Sequence, residues 1–272
     1  MSNKKLTIFD LQEAKRNGDQ LTEVFTVNPT EASACEQAGI DIILTMCKYA
    51  KQIREAAPNT FLILADNIHA PNITSESEAI SHAYQAMADG ADAYYTHLSH
   101  HLVAAMAREH VPVVGHVGYV PYRVSWYGKA RAVGKTKKEA MWVYEQTMAY
   151  QDAGAIAVEM EIVPSRMADE IAKRVEIIIM SMGSGTGGDV QYLFATDVLG
   201  TNTGHVPRHA KIYGALKEAE EKVQKLRIEA FAAFKKDVSD KTYPAKEHLI
   251  GVKEDQHEAF VKALEELNKK KV

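Results

Sequence analysis

The stretch Thr60-Phe-Leu-Ile-Leu-Ala-Asp-Asn-Ile-His69 decides the fold. Its run from Phe61 to Ala65 is apolar at every position and then stops at a carboxylate, Asp66. A strand with one wet face alternates apolar and polar residues. A strand apolar on both faces is covered on both, as in a parallel sheet flanked by helices. Such sheets keep their chemistry at the C-terminal strand ends. Asp66 therefore stands either as a functional acid at the mouth of a sheet or as a cap on the next turn.

Outward from this stretch the same unit recurs. Upstream, residues 5–17 read as a short helix and Glu23 to Val27 as a first strand. Thr30 to Gln37 is a helix stopped by Gly39, and Ile40 to Met46 is a second buried strand. Downstream, Ser75 to Ala88 is a helix closed by Gly90, followed by strand Ala91 to Thr96. Leu102 to Glu109 is helical, and Val111 to His116 is a fifth strand. Lys137 to Ala153, Ala155 to Glu161, Arg166 to Lys173 and Val175 to Met180 continue the rhythm of helix and strand. An eighth, weaker strand is expected near Ala195 to Thr201. Eight strands alternating with helices favour a (β/α)8 TIM barrel over an open doubly wound sheet. Leu216 to Lys236 and Gln256 to Lys271 read as extra C-terminal helices. The expectation is one barrel domain over residues 1–272, with 216–272 as a helical extension. The last helix suits packing on a partner subunit or the barrel better than a membrane.

Bulk composition narrows the classes. A chain of 272 residues with 46% hydrophobic content can bury a large core. A net charge of −4 carries no basic footprint for nucleic acid. No apolar run approaches the roughly 20 residues that span a bilayer. Nor does the segment after Met1 hold a signal-peptide core. Two cysteines, Cys35 and Cys47, do not make a disulfide framework. A soluble cytoplasmic protein is the expectation.

If the barrel holds, its strand ends converge on one pocket. They supply Asn28, Cys47, Asp66, His97, His116 and Glu161, with the glycine-rich turn Gly183 to Gly188 after strand seven. Each has a plainer reading. Cys47 can be a small buried hydrophobe. His97 lies beside His100 and His101 in a turn that water can cover. His116 can donate to a core carbonyl. Glu159 and Glu161 alternate along one strand, with one of the pair expected to face outward. The glycine-rich turn lacks the lysine and hydroxyl of a P-loop.

Val111-Pro-Val-Val-Gly-His-Val-Gly118 brings a family into view. With Met160-Glu-Ile-Val-Pro164, Met182-Gly-Ser-Gly185, Gly204 to Lys211 and Tyr243-Pro-Ala-Lys-Glu-His248, the chain resembles the ketopantoate hydroxymethyltransferases. These are barrels of the phosphoenolpyruvate mutase/isocitrate lyase superfamily. The resemblance implies transfer of a hydroxymethyl group from 5,10-methylenetetrahydrofolate to 2-oxoisovalerate, a 2-oxo acid. It further implies an enolate held by magnesium, and a homo-oligomer. Asp66 matches the second metal-binding aspartate, His116 the retained histidine and Glu161 the base.

The departures share a direction. Met46-Cys47-Lys48 replaces a Gly-Asp-Ser segment that holds the first metal aspartate, and Asn28 replaces an aspartate. Tyr95 and His97 take the places of a lysine and a glutamate. Magnesium prefers oxygen ligands, whereas Cys and His suit zinc, cobalt or iron. The expectation is a transition-metal site on Cys47, Asp66 and His97, with His69 as a further ligand; the rival is a lost or weakened metal. Lys48 and the turn carrying Ser181 and Gly183 are expected to hold the substrate carboxylate, with Tyr95 at the mouth. Two other readings stay open at this point: a folate-independent aldolase or lyase on a different 2-oxo acid, and a non-catalytic paralogue.

Overall fold

A computed structural model describes residues 5–66, 73–204 and 206–269. Eight parallel strands pair in sequence order, and β1 closes on β8. They are β1 (Leu21–Phe25), β2 (Ile42–Met46), β3 (Phe61–Ala65), β4 (Ala93–Tyr95), β5 (Val113–Gly118), β6 (Ala157–Glu161), β7 (Ile178–Met182) and β8 (Val190–Phe194). The protein is a (β/α)8 barrel.

The opening stretch explains the layering. Phe61, Ile63 and Ala65 of β3 point into the barrel, where they meet Ile42, Leu44, Tyr95, Met180 and Tyr192. Leu62 and Leu64 point the other way, into the shell between barrel and helices with Ala83, Val103 and Val143. Both faces are dry, so every position of the strand is apolar. Leu11 of α1 (Ile8–Asn17) joins the interior cluster.

Local signals set the helix boundaries. Thr7 and Asp10 form a capping box that starts α1, and Gly18 ends it in the left-handed conformation. The Asn28 side chain accepts a hydrogen bond from the Thr30 N–H at 2.9 Å and caps α2 (Pro29–Ala38). Next come α3 (Ala50–Ala56), α4 (Glu76–Ala88), α5 (His100–Arg108), α6 (Val124–Tyr127), α7 (Lys137–Asp152), α8 (Ser165–Ala172) and α9 (Ala195–Leu199). Ser75 and Glu78 form a capping box on α4, and Thr136 caps α7.

The eighth strand lies earlier than the sequence suggests. Residues 190–194 pair with β1 and β7, whereas Ala195–Leu199 is helical. Seven residues, 183–189, join β7 to β8 with no helix between them. Parallel neighbours normally need a longer crossover. Here Val190 starts level with Met180, so the chain drops back only two residues from Met182, or roughly 7 Å. Asp189 anchors the short return: its carboxylate accepts from the Ile179 N–H at 2.7 Å and from Lys15 Nζ at 2.8 Å.

The chain divides into two units, residues 1–216 and 217–272. The second consists of α10 (Leu216–Ser239), a short 3₁₀ turn at Lys246–His248 and α11 (Glu254–Lys269). No helix among the described residues is long and apolar enough to cross a membrane.

Candidate active site

The inward side chains at the C-terminal strand ends enclose a cavity of about 760 Å³. Its interior wall is polar where a barrel core is normally apolar. Tyr95 comes from β4, His116 from β5, Glu159 and Glu161 from β6, and Tyr192 from β8. Both glutamates face inward, which corrects the expectation that one of them turns away. Residues two apart on a strand share a face. Register does the rest: His116 pairs with Glu159, and Gly118 with Glu161. Gly118 has φ +85°, and a Cβ there would collide with the Glu161 carbonyl, so only glycine lets β5 and β6 approach at this point.

These groups touch. Tyr95 Oη lies 2.5 Å from His116 Nδ1. His116 Nε2 lies 3.1 Å from Glu161 Oε2 and 3.9 Å from Glu159 Oε1. Burial dominates the electrostatics. It pushes the Glu161 carboxyl up to about 8. It pushes Glu159 up to about 7, with His116 and the Tyr95 hydrogen bond pulling down and Glu161 pushing up. Glu23 of β1, 3% exposed, is held well above the usual carboxylate range by burial and then by the Glu159 charge. Burial holds His116 below its ordinary value, against the pull of Glu159. At neutral pH this group can therefore both take and give protons.

The rim is organised differently. Cys47, Lys48 and Asp66 line the cavity there. Asp66 Oδ2 accepts from the Tyr94 hydroxyl and lies 3.0 Å from His82 Nδ1. The Cys47 thiol is also hydrogen-bonded to Asp66; burial, then the Asp66 charge, push it up to about 12. Lys48 is exposed, with its ammonium 4.8 Å from the Tyr49 ring centre. His97 is elsewhere: it is 4% exposed, stacks on Tyr122 with centroids 4.4 Å apart, and is not a lining residue. The water-covered turn envisaged for it is replaced by packing under the 121–123 loop. The structure thus brings Cys47 and Asp66 together but leaves His97 apart, and Asp66 is already shared among three protein groups. That arrangement does not fit an ion seated on residues 47, 66 and 97. His69 lies outside the described residues.

Ser181 and Gly183 do not line the cavity either. Ser181 Oγ donates to the Gly185 carbonyl at 2.8 Å, and Gly183, at φ +68°, packs against the His209 ring. Ser184 in the same turn donates to the Met160 carbonyl at 2.7 Å and accepts from the Val163 N–H at 2.9 Å. The glycine-rich turn is a clamp on the end of β6. Glu23, Glu159 and Tyr192 were given no functional reading from the sequence. The available signal was the pair of acids two apart in an otherwise apolar strand, Ala157-Val-Glu-Met-Glu161. Among the described residues, His116, Glu159 and Glu161 are the group whose donor atoms converge closely enough for a metal ion, all within 4.8 Å of one another.

Comparisons with known proteins fit this picture. The profile of the family "Ketopantoate hydroxymethyltransferase" matches residues 44–246. A protein of Methylibium petroleiphilum named 3-methyl-2-oxobutanoate hydroxymethyltransferase 1 is 27% identical, over 96% of this chain and 95% of its own. A 3-methyl-2-oxobutanoate hydroxymethyltransferase of Deinococcus radiodurans is 30% identical over 89% and 92%. Among solved structures, 2,3-dimethylmalate lyase, a PEP mutase/isocitrate lyase superfamily member, aligns with a TM-score of 0.54 at 14% identity, covering 83% of this chain and 89% of its own. A phosphonopyruvate hydrolase solved with oxalate and Mg++ aligns with a TM-score of 0.50 at 16% identity, covering 96% and 98%. These two share the barrel. The profile match runs from β2 through β8, the strands that carry nearly all of the cavity, so the chain belongs to the ketopantoate hydroxymethyltransferase family and is an enzyme of that transferase type.

Proposed function

We propose that the chain adds a hydroxymethyl group to 3-methyl-2-oxobutanoate or a closely related 2-oxo acid, with 5,10-methylenetetrahydrofolate as one-carbon donor. The observation that carries this reading is the buried Glu161–His116–Glu159 group facing a cavity at the barrel mouth. The reaction requires removal of the C3 proton beside the keto carbon. A carboxylate in water is too weak a base for that step, whereas burial raises Glu161 to about 8 and makes it a better acceptor. In this reading Glu161 takes the proton. Water releases the folate methylene at the formaldehyde level, both C–N bonds breaking and tetrahydrofolate leaving with the two protons of the water; the carbon then adds to this one-carbon unit, and the proton held by Glu161 goes to its oxygen, which becomes the product hydroxyl. His116 stands beside Glu161, 3.1 Å from its Oε2, on the wall that faces the keto group. Tyr95 orients the imidazole through Nδ1. Lys48, at the rim, pairs with the substrate carboxylate. A divalent cation, when bound, supplies Lewis-acid stabilisation of the enolate.

We also take the working form to be a homo-oligomer. In the unit 217–272, Phe231 is 74% exposed and Ile228 59%, which supports burial against another copy. Product formation tests the transfer. With the 2-oxo acid and 5,10-methylenetetrahydrofolate, mass spectrometry is expected to show the acceptor gaining CH2O. Turnover with aldehydes but independent of folate would replace this reading with an aldolase.

A further inference from the structure

The barrel interior gathers three acidic side chains around one imidazole. Glu23, Glu159 and Glu161 are each at most 6% exposed. Lys48, out at the rim, is the one lysine or arginine among the described residues that line the cavity.

Tyr95 Oη lies 2.5 Å from His116 Nδ1, which leaves Nε2 as the ring nitrogen that faces the carboxylates. His116 is 4% exposed, and Nε2 has no hydrogen-bond partner. It nevertheless looks onto Glu161 Oε2 at 3.1 Å and Glu159 Oε1 at 3.9 Å. A proton shared between Nε2 and Glu161 satisfies this contact, and so does a metal ion held by all three groups. Metal–ligand bonds of about 2.0–2.2 Å at tetrahedral or octahedral angles separate donor atoms by roughly 3–3.5 Å. A hydrogen bond at the other ring nitrogen is how proteins orient a metal-binding histidine.

We propose that His116 Nε2 and one oxygen each of Glu159 and Glu161 bind a divalent transition metal inside the barrel, away from the Cys47–Asp66 rim. One nitrogen and two oxygens suit zinc, manganese or cobalt better than magnesium, which prefers an all-oxygen shell. Three protein ligands leave positions open to the keto and carboxylate oxygens of a 2-oxo acid. Each carboxylate gives one oxygen, so the second oxygen of Glu161 stays available to the substrate proton. The proposal rests on the same side chains as the transfer reading, and the two are told apart because metal content reports on the one and product formation on the other.

Metal analysis tests it directly. Full-length protein prepared without chelator is dialysed against Zn2+, Mn2+ or Co2+ in turn, and the bound metal is counted by mass spectrometry. About one ion per chain is expected for at least one metal, with a visible absorption band for Co2+. His116→Ala and Glu159→Gln are expected to weaken retention at least tenfold, and Tyr95→Phe to weaken it while leaving the circular dichroism unchanged. Cys47→Ala and Asp66→Asn are expected to retain the metal as the parent does. Two results would overturn the proposal. One is a parent protein that keeps none of the three metals. The other is retention that survives Glu159→Gln but is lost in Asp66→Asn.

Discussion

Asp66 and Cys47 show how one neighbour fixes the chemistry of another. The thiol sits half-buried against a carboxylate, and both burial and charge oppose its ionisation. Alkylation needs the thiolate. With its pKa near 12, Cys47 at pH 8 should react with iodoacetamide on the order of a thousandfold more slowly than a free thiol, whose pKa is about 8.5. Asp66→Asn removes the charge and is expected to speed labelling of Cys47, followed by peptide mass spectrometry. Glu23 tests burial more directly. Its pKa is raised in the folded chain, so its contribution to stability is fully present below the unfolded value near 4.5 and is lost as pH rises through the folded value. In metal-free protein, Glu23→Gln should therefore flatten the fall in Tm as pH rises above the unfolded value. At this scale the sequence exposed Asp66, His116 and Glu161, because each interrupts an apolar run. It hid Glu159, because one acid of the Glu159–Glu161 pair is expected from the sequence to face outward. It also hid the place of His97, because Tyr122 and Arg123, which cover it, come from a loop beyond β5.

Strands and turns were legible where pattern alone sets them. β3 is readable because both of its faces are dry, and the helices because Thr7, Asn28, Ser75 and Thr136 announce their starts. β8 was misplaced because its short connection breaks the alternation of strand and helix, and the level start that permits it is a matter of register. β5 and β6 carry the reactive group, and their closeness depends on Gly118. Gly118→Ala adds a methyl group against the Glu161 carbonyl at a positive φ. The strands must part to accommodate it. A loss of about 1–3 kcal/mol in denaturant unfolding is expected, together with weaker metal retention, because Glu161 moves with its strand.

Over the whole molecule, a transferase-family barrel carries one cavity with two differently charged zones. The rim position that the resemblance gives to a metal aspartate holds a protonated thiol. The interior holds three acids and one imidazole. Solution mass is the test for assembly: light scattering is expected to exceed the 30.1 kDa of one chain, and a monomer at all concentrations would contradict the homo-oligomer. The central claim is that the interior group moves the proton next to a 2-oxo acid carbonyl. Proton NMR of 3-methyl-2-oxobutanoate in D2O measures it without folate or product. With zinc, manganese or cobalt supplied, the parent protein should exchange the C3 proton for deuterium, and Glu161→Gln should slow that exchange by roughly 10²–10⁴-fold. Retention of the C3 proton with every metal, or exchange by Glu161→Gln at the parent rate, would contradict the account.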